Sequence, residues 1–224
     1  AAIVSIAVPA SQPVEVSKAI YEGLLELADE YGVALAGGDT NSWDHPLAIS
    51  ITAIGEPTER GVVTRSGARV GDAILVTGEF GGSILGRHFD FTPRIREALK
   101  LHQRYEIHAA MDVSDGLSLD LSRLAGASSC GAIIDASSVP ISGDAFRLAE
   151  QHAAGGSPLD HALSDGEDFE LILAVSSEAA DQIVADDSLG VSITRIGEFV
   201  TEPGLWLRNA AGECHSLAPR GYEH

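Results

Sequence analysis

Lysine and cysteine are scarce in this chain of 224 residues. Lys18 and Lys100 are the only lysines, and the two cysteines, Cys130 and Cys214, are too few to build a disulfide framework. No apolar run approaches the roughly 18 residues that a transmembrane helix needs, and the first residues lack the positive charges of a secretory signal. These absences predict a cytoplasmic protein that neither spans nor binds a membrane.

Positive charge is also in short supply. The chain has 33 Asp and Glu residues against 14 Lys and Arg residues, which gives a formal net charge of −19. Such a charge repels the phosphate backbone, so nucleic-acid binding is disfavoured. Between Leu148 and Thr194 there is no Lys or Arg. We expect most of the acids there to form a solvated surface, whereas the alternative is that some of them converge on divalent cations that attract an anionic substrate.

Several widespread site motifs are missing. The chain has no G-x-x-x-x-G-K-[ST] sequence, which excludes a P-loop for ATP. Residues 78–82 do not complete a dinucleotide-binding fingerprint, and residues 82–86 lack the spacing of a hydrolase nucleophile turn. None of the eight histidines has the paired spacing of a zinc site. Any phosphate chemistry must therefore depend on other side chains.

The hydrophobic fraction of 45% predicts a folded core, and the apolar spacing predicts mixed secondary structure. Strand and helix patterns interleave without βαβ regularity, which favours an α+β fold. The pattern restarts at residues 70–72 after a loop, which places a domain boundary near residues 60–70. The predicted strands are 3–8, 33–36, 47–54, 73–77, 111–113, 132–135, 169–175, 191–196 and 205–207, and the predicted helices are 14–31, one after Ser83, 93–108, one capped by Ser114, 143–153 and 177–186.

Three acidic loops are candidates for a functional site. Residues 37–40 place Asp39 after two glycines at a strand end, and residues 112–116 place two carboxylates around Ser114 at a strand-to-helix turn. Residues 164–170 hold four acids around one glycine. For any one loop alone, an Asx turn or a helix N-cap is the ordinary explanation. Three together favour metal-assisted nucleotide chemistry, because Mg²⁺ takes carboxylate and phosphate oxygens and a helix N-terminus attracts phosphate.

A series of short motifs runs in order along nearly the whole chain. They are residues 19–24, 37–40, 51–56, 64–69, 71–72, 76–78, 82–83, 93–94, 112–117, 166–171 and 221–224. Together these motifs resemble the thiamine-monophosphate kinase family of the AIR-synthase-like ATP-binding superfamily. The aspartate loop is shared across that superfamily, whereas the G-E-D-F-E-L run and the terminal G-Y-E-H are typical of this kinase family in particular.

The resemblance implies a Mg²⁺-dependent phosphoryl transfer from ATP to thiamine monophosphate, giving thiamine diphosphate and ADP, in a homodimer. It assigns roles to nine residues in four overlapping sets. These are Asp112 and Asp115 as catalytic residues; Tyr21, Gly38, Asp39, Arg65 and Ser114 for ATP; Asp39, Asp112 and Asp115 for the metal; and Glu167 and Tyr222 for thiamine monophosphate.

The resemblance also implies a two-domain AIR-synthase-like α+β fold. Residues 1–62 correspond to the remainder of an N-terminal α/β domain on the dimer and ATP side, and residues 63–224 to a larger C-terminal α+β domain. The family begins with a further segment that carries metal-binding aspartates and has no counterpart here, so we expect a truncated first domain and an impaired enzyme. Asp165 stands where the family commonly has glycine.

Two alternatives stay open at this point. One is another ATP-dependent enzyme of the superfamily, such as a synthetase or dehydratase, although the terminal G-Y-E-H disfavours it. The other is a catalytically impaired fragment that binds nucleotide and metal.

Overall fold

The computed structural model describes residues 1–151 and 155–223. The end of the predicted helix 143–153 and the final His224 of the terminal motif lie outside the described residues. The chain divides into two compact units, one spanning Ala1–Glu59 and the other beginning at Arg60. The strands are β1 (Ala2–Pro9), β2 (Leu35–Trp43), β3 (Ala48–Ala53), β4 (Ala73–Thr77), β5 (Ala109–Asp112), β6 (Gly131–Asp135), β7 (Leu171–Val175), β8 (Ile193–Val200), β9 (Leu205–Arg208) and β10 (Cys214–Ser216), and the helices are α1 (Val14–Glu30), α2 (Ile95–Arg104), α3 (Leu117–Ala127), α4 (Gly143–Gln151), α5 (Pro158–Ser164) and α6 (Ser177–Val184).

The first unit contains a three-stranded sheet in the order β2-β1-β3. Strand β1 pairs parallel with β2, to which α1 connects it along the chain, and antiparallel with β3. Ala2, Val4 and Ile6 are buried, whereas Ile3 and Ser5 between them are exposed. This alternation buries one face of β1, as expected for a strand with a side-chain period of two.

The predicted loop at residues 37–40 is wrong, because these residues lie inside β2. Gly38 pairs with Val4 of β1, and a Cβ atom added to Gly38 would overlap the carbonyl oxygen of Val4. The glycine therefore allows two strands to approach each other and does not form a turn. Asp39 is held on a strand, opposite Ser5.

The second unit is built on a seven-stranded sheet in the order β10-β9-β6-β8-β4-β7-β5. Its named strand pairs are antiparallel except for β6 with β9. Ile74 and Val76 of β4 pack into a core with α3, whereas Ala73 and Leu75 of the same strand pack into a second core with Leu101 of α2. Helices therefore cover both faces of the central strands, and the predicted α+β class is confirmed.

Two predicted helix starts in the second unit are wrong. Ser114 does not cap α3, which begins at Leu117 with Gly116 at the N-cap position. The residues from Ser83 form two short 3-10 turns, Ser83–Leu85 and Arg87–Phe89, and no α-helix.

Other elements differ from their predictions in length or were not predicted. Helix α2 is shorter than the predicted 93–108. Helix α5 and strand β10 had no counterpart in the sequence prediction. Within residues 1–151 and 155–223, no helix combines the length and the apolar character needed to cross a membrane.

Candidate active site

Three separate segments of the second unit meet at one place through backbone hydrogen bonds. The loop after β5 accepts at Ser114 O from the Glu167 N–H (2.7 Å) and at Val113 O from the Phe169 N–H (2.8 Å). The C-terminal segment joins them, because the Tyr222 N–H donates to Asp115 O at 2.8 Å. These bonds fix the acidic loops against each other and against the chain terminus.

Glycines allow this close packing of backbone. A Cβ atom added to Gly166 would lie 2.8 Å from Ser114 O, and one added to Gly221 would overlap Asp115 O. Any larger residue at either position would push its segment away from the loop after β5. Close packing of backbone therefore requires glycine at both positions, Gly166 in the motif 166–171 and Gly221 in the motif 221–224.

The three segments line part of a cavity of about 730 Å³, which is also lined by Ser83, Ile84, Leu148 and His161. Four of the residues singled out in the sequence line it, namely Ser114, Asp115, Glu167 and Tyr222. Its volume falls within the range of sites for small ligands and cofactors, roughly 300–1,000 Å³. The structure thus gathers the predicted substrate residues and part of the predicted metal loop around one space.

The G-E-D-F-E-L run alternates between the interior and this cavity. Glu167 and Phe169 line the cavity, whereas Asp168 and Glu170 are buried. Glu167 and Phe169 have positive φ angles of 63° and 53°. These angles are uncommon for residues other than glycine, and for a bulky side chain they are a true outlier.

Asp168 is a buried carboxylate with one cationic partner. Its side chain pairs with Arg87 and accepts the Gly81 N–H at 3.0 and 3.1 Å. Burial raises the pKa of Asp168 to about 7, although the Gly81 hydrogen bond and Arg87 both act to lower it.

Glu170 is held by a second arginine. Arg94 donates to it through Nε at 2.8 Å and Nη2 at 2.5 Å, and the Thr77 hydroxyl of β4 donates at 2.6 Å. This bidentate pair anchors the start of β7 to the sheet. The sequence suggested four similar acids, but two of them form internal ion pairs.

The loop after β5 is organised by Asp120 of α3. Its Oδ2 accepts the backbone N–H groups of Ser114, Asp115 and Gly116 at 3.1, 2.9 and 3.2 Å. Arg123 donates to Oδ1 of Asp120 at 2.8 Å and also pairs with Asp115. Hydrogen bonding to Asp115 and Asp120 raises the pKa of Arg123 above its ordinary value, against the opposing effect of burial. Asp120 and Arg123 were not among the sequence-based candidates, although an acid in the first turn of a helix is a recognisable feature.

Comparisons with known proteins identify the family of the chain. Two family models match the chain, "AIR synthase related protein, N-terminal domain" over residues 1–56 and "AIR synthase related protein, C-terminal domain" over residues 69–207. The chain is 47% identical over 223 residues to the thiamine-monophosphate kinase of Rhodopirellula baltica, a match that covers 100% of this chain and 69% of that protein. The chain belongs to the thiamine-monophosphate kinase family. Membership confirms the expectation of an ATP-dependent kinase with an AIR-synthase-like fold.

Two solved structures are similar to this chain over nearly its whole length. A structure described as AaThiL complexed with AMPPCP and TMP is 26% identical, with a TM-score of 0.77, and the match covers 100% of this chain and 72% of that one. E. coli HypE, a hydrogenase maturation protein, has a TM-score of 0.82 at 24% identity, covering 99% of this chain and 74% of that one. The second likeness concerns the fold alone.

The other family-derived candidates lie elsewhere in the chain. Tyr21, Gly38 and Asp39 line a separate cavity of about 350 Å³ within the first unit. Asp39 also accepts from the Asn41 amide at 2.5 Å. In the second unit, Arg65 is exposed in the segment before β4, and Asp112 is exposed at the end of β5.

The carboxylates suit Mg²⁺ in chemistry but not in number. Across the described part of the chain, no three His, Cys, Asp or Glu side chains are grouped to hold a metal ion. Asp115 already pairs with Arg123, and Asp112 is exposed. Mg²⁺ usually combines one or two carboxylates with water and substrate phosphates. Asp112 and Asp115 are therefore of the right chemical type, and a complete Mg²⁺ site would also need water and substrate phosphates.

Proposed function

We propose that this protein transfers a phosphoryl group from ATP to thiamine monophosphate, giving thiamine diphosphate and ADP. The observation that carries the proposal is the convergence of Ser114, Asp115, Glu167 and Tyr222 on one cavity. It occurs in a chain that is 47% identical to a thiamine-monophosphate kinase. No other superfamily activity has comparable support from the site.

Glu167 and Tyr222 bind thiamine monophosphate in this proposal. Tyr222 lines the cavity and is 63% exposed, and aromatic rings at such positions stack on flat ligands. The exposed Glu167 offers a carboxylate to the same space. Both residues come from segments whose backbone is bonded to the loop of Ser114 and Asp115, so substrate and phosphate donor would be held by one connected unit.

Asp112, Ser114 and Asp115 bind the phosphates of ATP in this proposal. The backbone N–H groups of Ser114, Asp115 and Gly116, just before α3, are already bonded to Asp120, which removes these three as donors to a phosphate. A negatively charged loop of this kind needs a cation to accept ATP. We assign Mg²⁺ to Asp112 and Asp115; when bound, the ion would neutralise charge on the transferred phosphoryl group. Asp39, in the first unit, is a proposed metal ligand from the family resemblance alone.

The remaining ATP contacts are proposed for Tyr21, Gly38, Asp39 and Arg65, with Ser114. Gly38 lines the cavity of the first unit, and Arg65 supplies an exposed positive charge for phosphate oxygens. Because phosphoryl transfer requires little covalent chemistry from the protein, these residues act by positioning and by neutralising charge.

We also propose a homodimer and a cytoplasmic location. Ile49 and Ile51 project from the same face of the edge strand β3 and are 44% and 55% exposed, which suits a second copy of the chain.

The proposed cytoplasmic location is supported by the cysteines. Cys130 and Cys214 are both free thiols, as is usual in a reducing compartment.

The direct test is to incubate the protein with ATP, Mg²⁺ and thiamine monophosphate and to measure thiamine diphosphate. We expect product formation that EDTA abolishes. Asp112→Asn should lower kcat/KM by about a hundredfold, the size typical of removing one charge-stabilising group. Asp181→Asn is the matched control, because Asp181 is an exposed acid on α6 away from the cavity. Absence of product, or an Asp112→Asn enzyme as active as the parent, would contradict the proposal.

A further inference from the structure

Phe169 has a backbone conformation that its side chain disfavours. Its φ of 53° is rare for a bulky residue, and such conformations persist only where the surrounding structure imposes them. Strained residues of this kind cluster at ligand sites, and Phe169 lines the 730 Å³ cavity. The outlier therefore needs a functional explanation.

The neighbours of Phe169 in the chain fix where its ring lies. On either side of it, Asp168 and Glu170 are buried and tied to Arg87 and Arg94, and the Phe169 N–H is bonded to Val113 O. The residues before and after are thus anchored in the interior. Between them, the ring of Phe169 is directed to the cavity side.

A second aromatic ring supports this position. Phe91 stacks on Phe169, with ring centroids 4.2 Å apart and planes inclined by 25°. Phe91 is not among the residues that line the cavity, so it packs on Phe169 from outside the cavity lining. Phe169 therefore brings a supported aromatic ring to the cavity that Glu167 also lines, and the face of such a ring attracts cations through the ring quadrupole.

We infer that Phe169, supported by Phe91, is a specificity-determining residue that binds the positively charged thiazolium ring of thiamine monophosphate against its aromatic surface. The inference rests on the proposed function, which supplies the identity of the substrate. It adds a cation-binding aromatic surface to the roles of Glu167 and Tyr222, and it explains why a strained phenylalanine occupies this position.

Phe169→Leu removes the aromatic surface and keeps an apolar side chain, whereas Phe169→Tyr keeps the ring and is the matched control. We expect Phe169→Leu to raise the KM for thiamine monophosphate by about fivefold to tenfold, with the KM for ATP unchanged. Phe169→Tyr should stay within about twofold of the parent. Phe91→Leu, which leaves the cavity lining intact, should give a smaller rise for thiamine monophosphate alone.

A neutral analogue of thiamine monophosphate tests whether the charge of the thiazolium ring, and not only its shape, contributes to binding. Calorimetry without ATP compares thiamine monophosphate with the analogue whose thiazolium is replaced by a neutral thiophene. The parent should prefer the cation, and Phe169→Leu should lose most of that preference. If Phe169→Leu does not fold, Phe91→Leu carries the same comparison.

The outcomes separate this inference from the proposed function. A parent that makes thiamine diphosphate, while the leucine variants keep an unchanged KM and an unchanged preference for the cation, overturns the inference alone. Equal increases in the KM values for thiamine monophosphate and ATP also overturn it, because they indicate a structural role. A parent that neither binds thiamine monophosphate nor forms product overturns the proposed function and the inference with it.

Discussion

Asp168 is a carboxylate that its surroundings make difficult to ionise. Burial raises its pKa from 3.8 to about 7. At pH values between 3.8 and about 7, the folded state keeps the proton of Asp168, whereas the unfolded state has released it. The free energy of unfolding contributed by this group is therefore fully present below about pH 4 and is lost as the pH rises towards 7.

Asp168→Asn should remove this pH dependence, because an amide cannot titrate. Relative to the parent, the variant should gain on the order of 2 kcal/mol between about pH 5 and pH 8. Urea denaturation at the two pH values measures the difference, and Asp181→Asn, at an exposed acid, is the control. A difference between Asp168→Asn and the parent that stays constant with pH would show that Asp168 does not titrate in this range.

The burial of single residues follows from the sequence where it depends only on the spacing of neighbouring residues. Leu117, Leu121 and Leu124 recur at helical spacing in the sequence, and all three are fully buried. The burial of Asp168 could not be predicted, because its partner Arg87 is distant in sequence and the surrounding run of acids resembles a solvated loop. The roles assigned to the nine site residues remain predictions.

At the scale of elements, the C-terminal segment is attached to the site by a contact that only glycine permits. Gly221 lies against Asp115 O, and the next residue, Tyr222, donates its N–H to the same oxygen. The Ser118 hydroxyl also bonds both the N–H and the carbonyl of Arg220. Tyr222 is thus placed by the backbone hydrogen bonds of Arg220 and of Tyr222 itself.

Gly221→Ala should displace this segment and Tyr222 with it. We expect the KM for thiamine monophosphate to rise by about tenfold, because small misplacements of a positioning group are costly. Gly126→Ala, in an open position of α3, is the control; it should leave both KM values unchanged and raise the Tm slightly. Steady-state kinetics that do not distinguish the two alanine variants would exclude a positioning role for Gly221.

Element boundaries were predicted well where the apolar pattern was strong. Strand β4 was predicted with its observed limits, and α1 to within one residue. Glycines at residues 37–38 suggested a turn, because the sequence does not reveal the parallel partner β1 that they approach. Helix α5 was missed despite its capping box at Ser157 and Asp160, because it has only seven residues and little apolar periodicity.

At the scale of the whole molecule, the exposed apolar face of β3 determines the expected assembly. Ile51→Asp should place a charge in the proposed interface and convert a dimer into a monomer of 23.3 kDa. Val62→Asp adds the same charge at an exposed position of the second unit and should leave the dimer intact. Light scattering coupled to gel filtration gives the masses. A monomeric parent would refute the dimer, and a dimeric Ile51→Asp would place the interface elsewhere.

The pairing of buried acids with arginines also bears on how fast an anionic substrate can reach the cavity. Asp115, Asp168 and Glu170 are matched by Arg123, Arg87 and Arg94, so these three acids add little to the repulsion of phosphate near the cavity. Asp165 and Glu167 are further acids that line the cavity, and salt screens exposed charges beyond about 8 Å at physiological ionic strength. The net charge of −19 should therefore slow the encounter with an anionic ligand at low salt, and raising the ionic strength should speed that encounter.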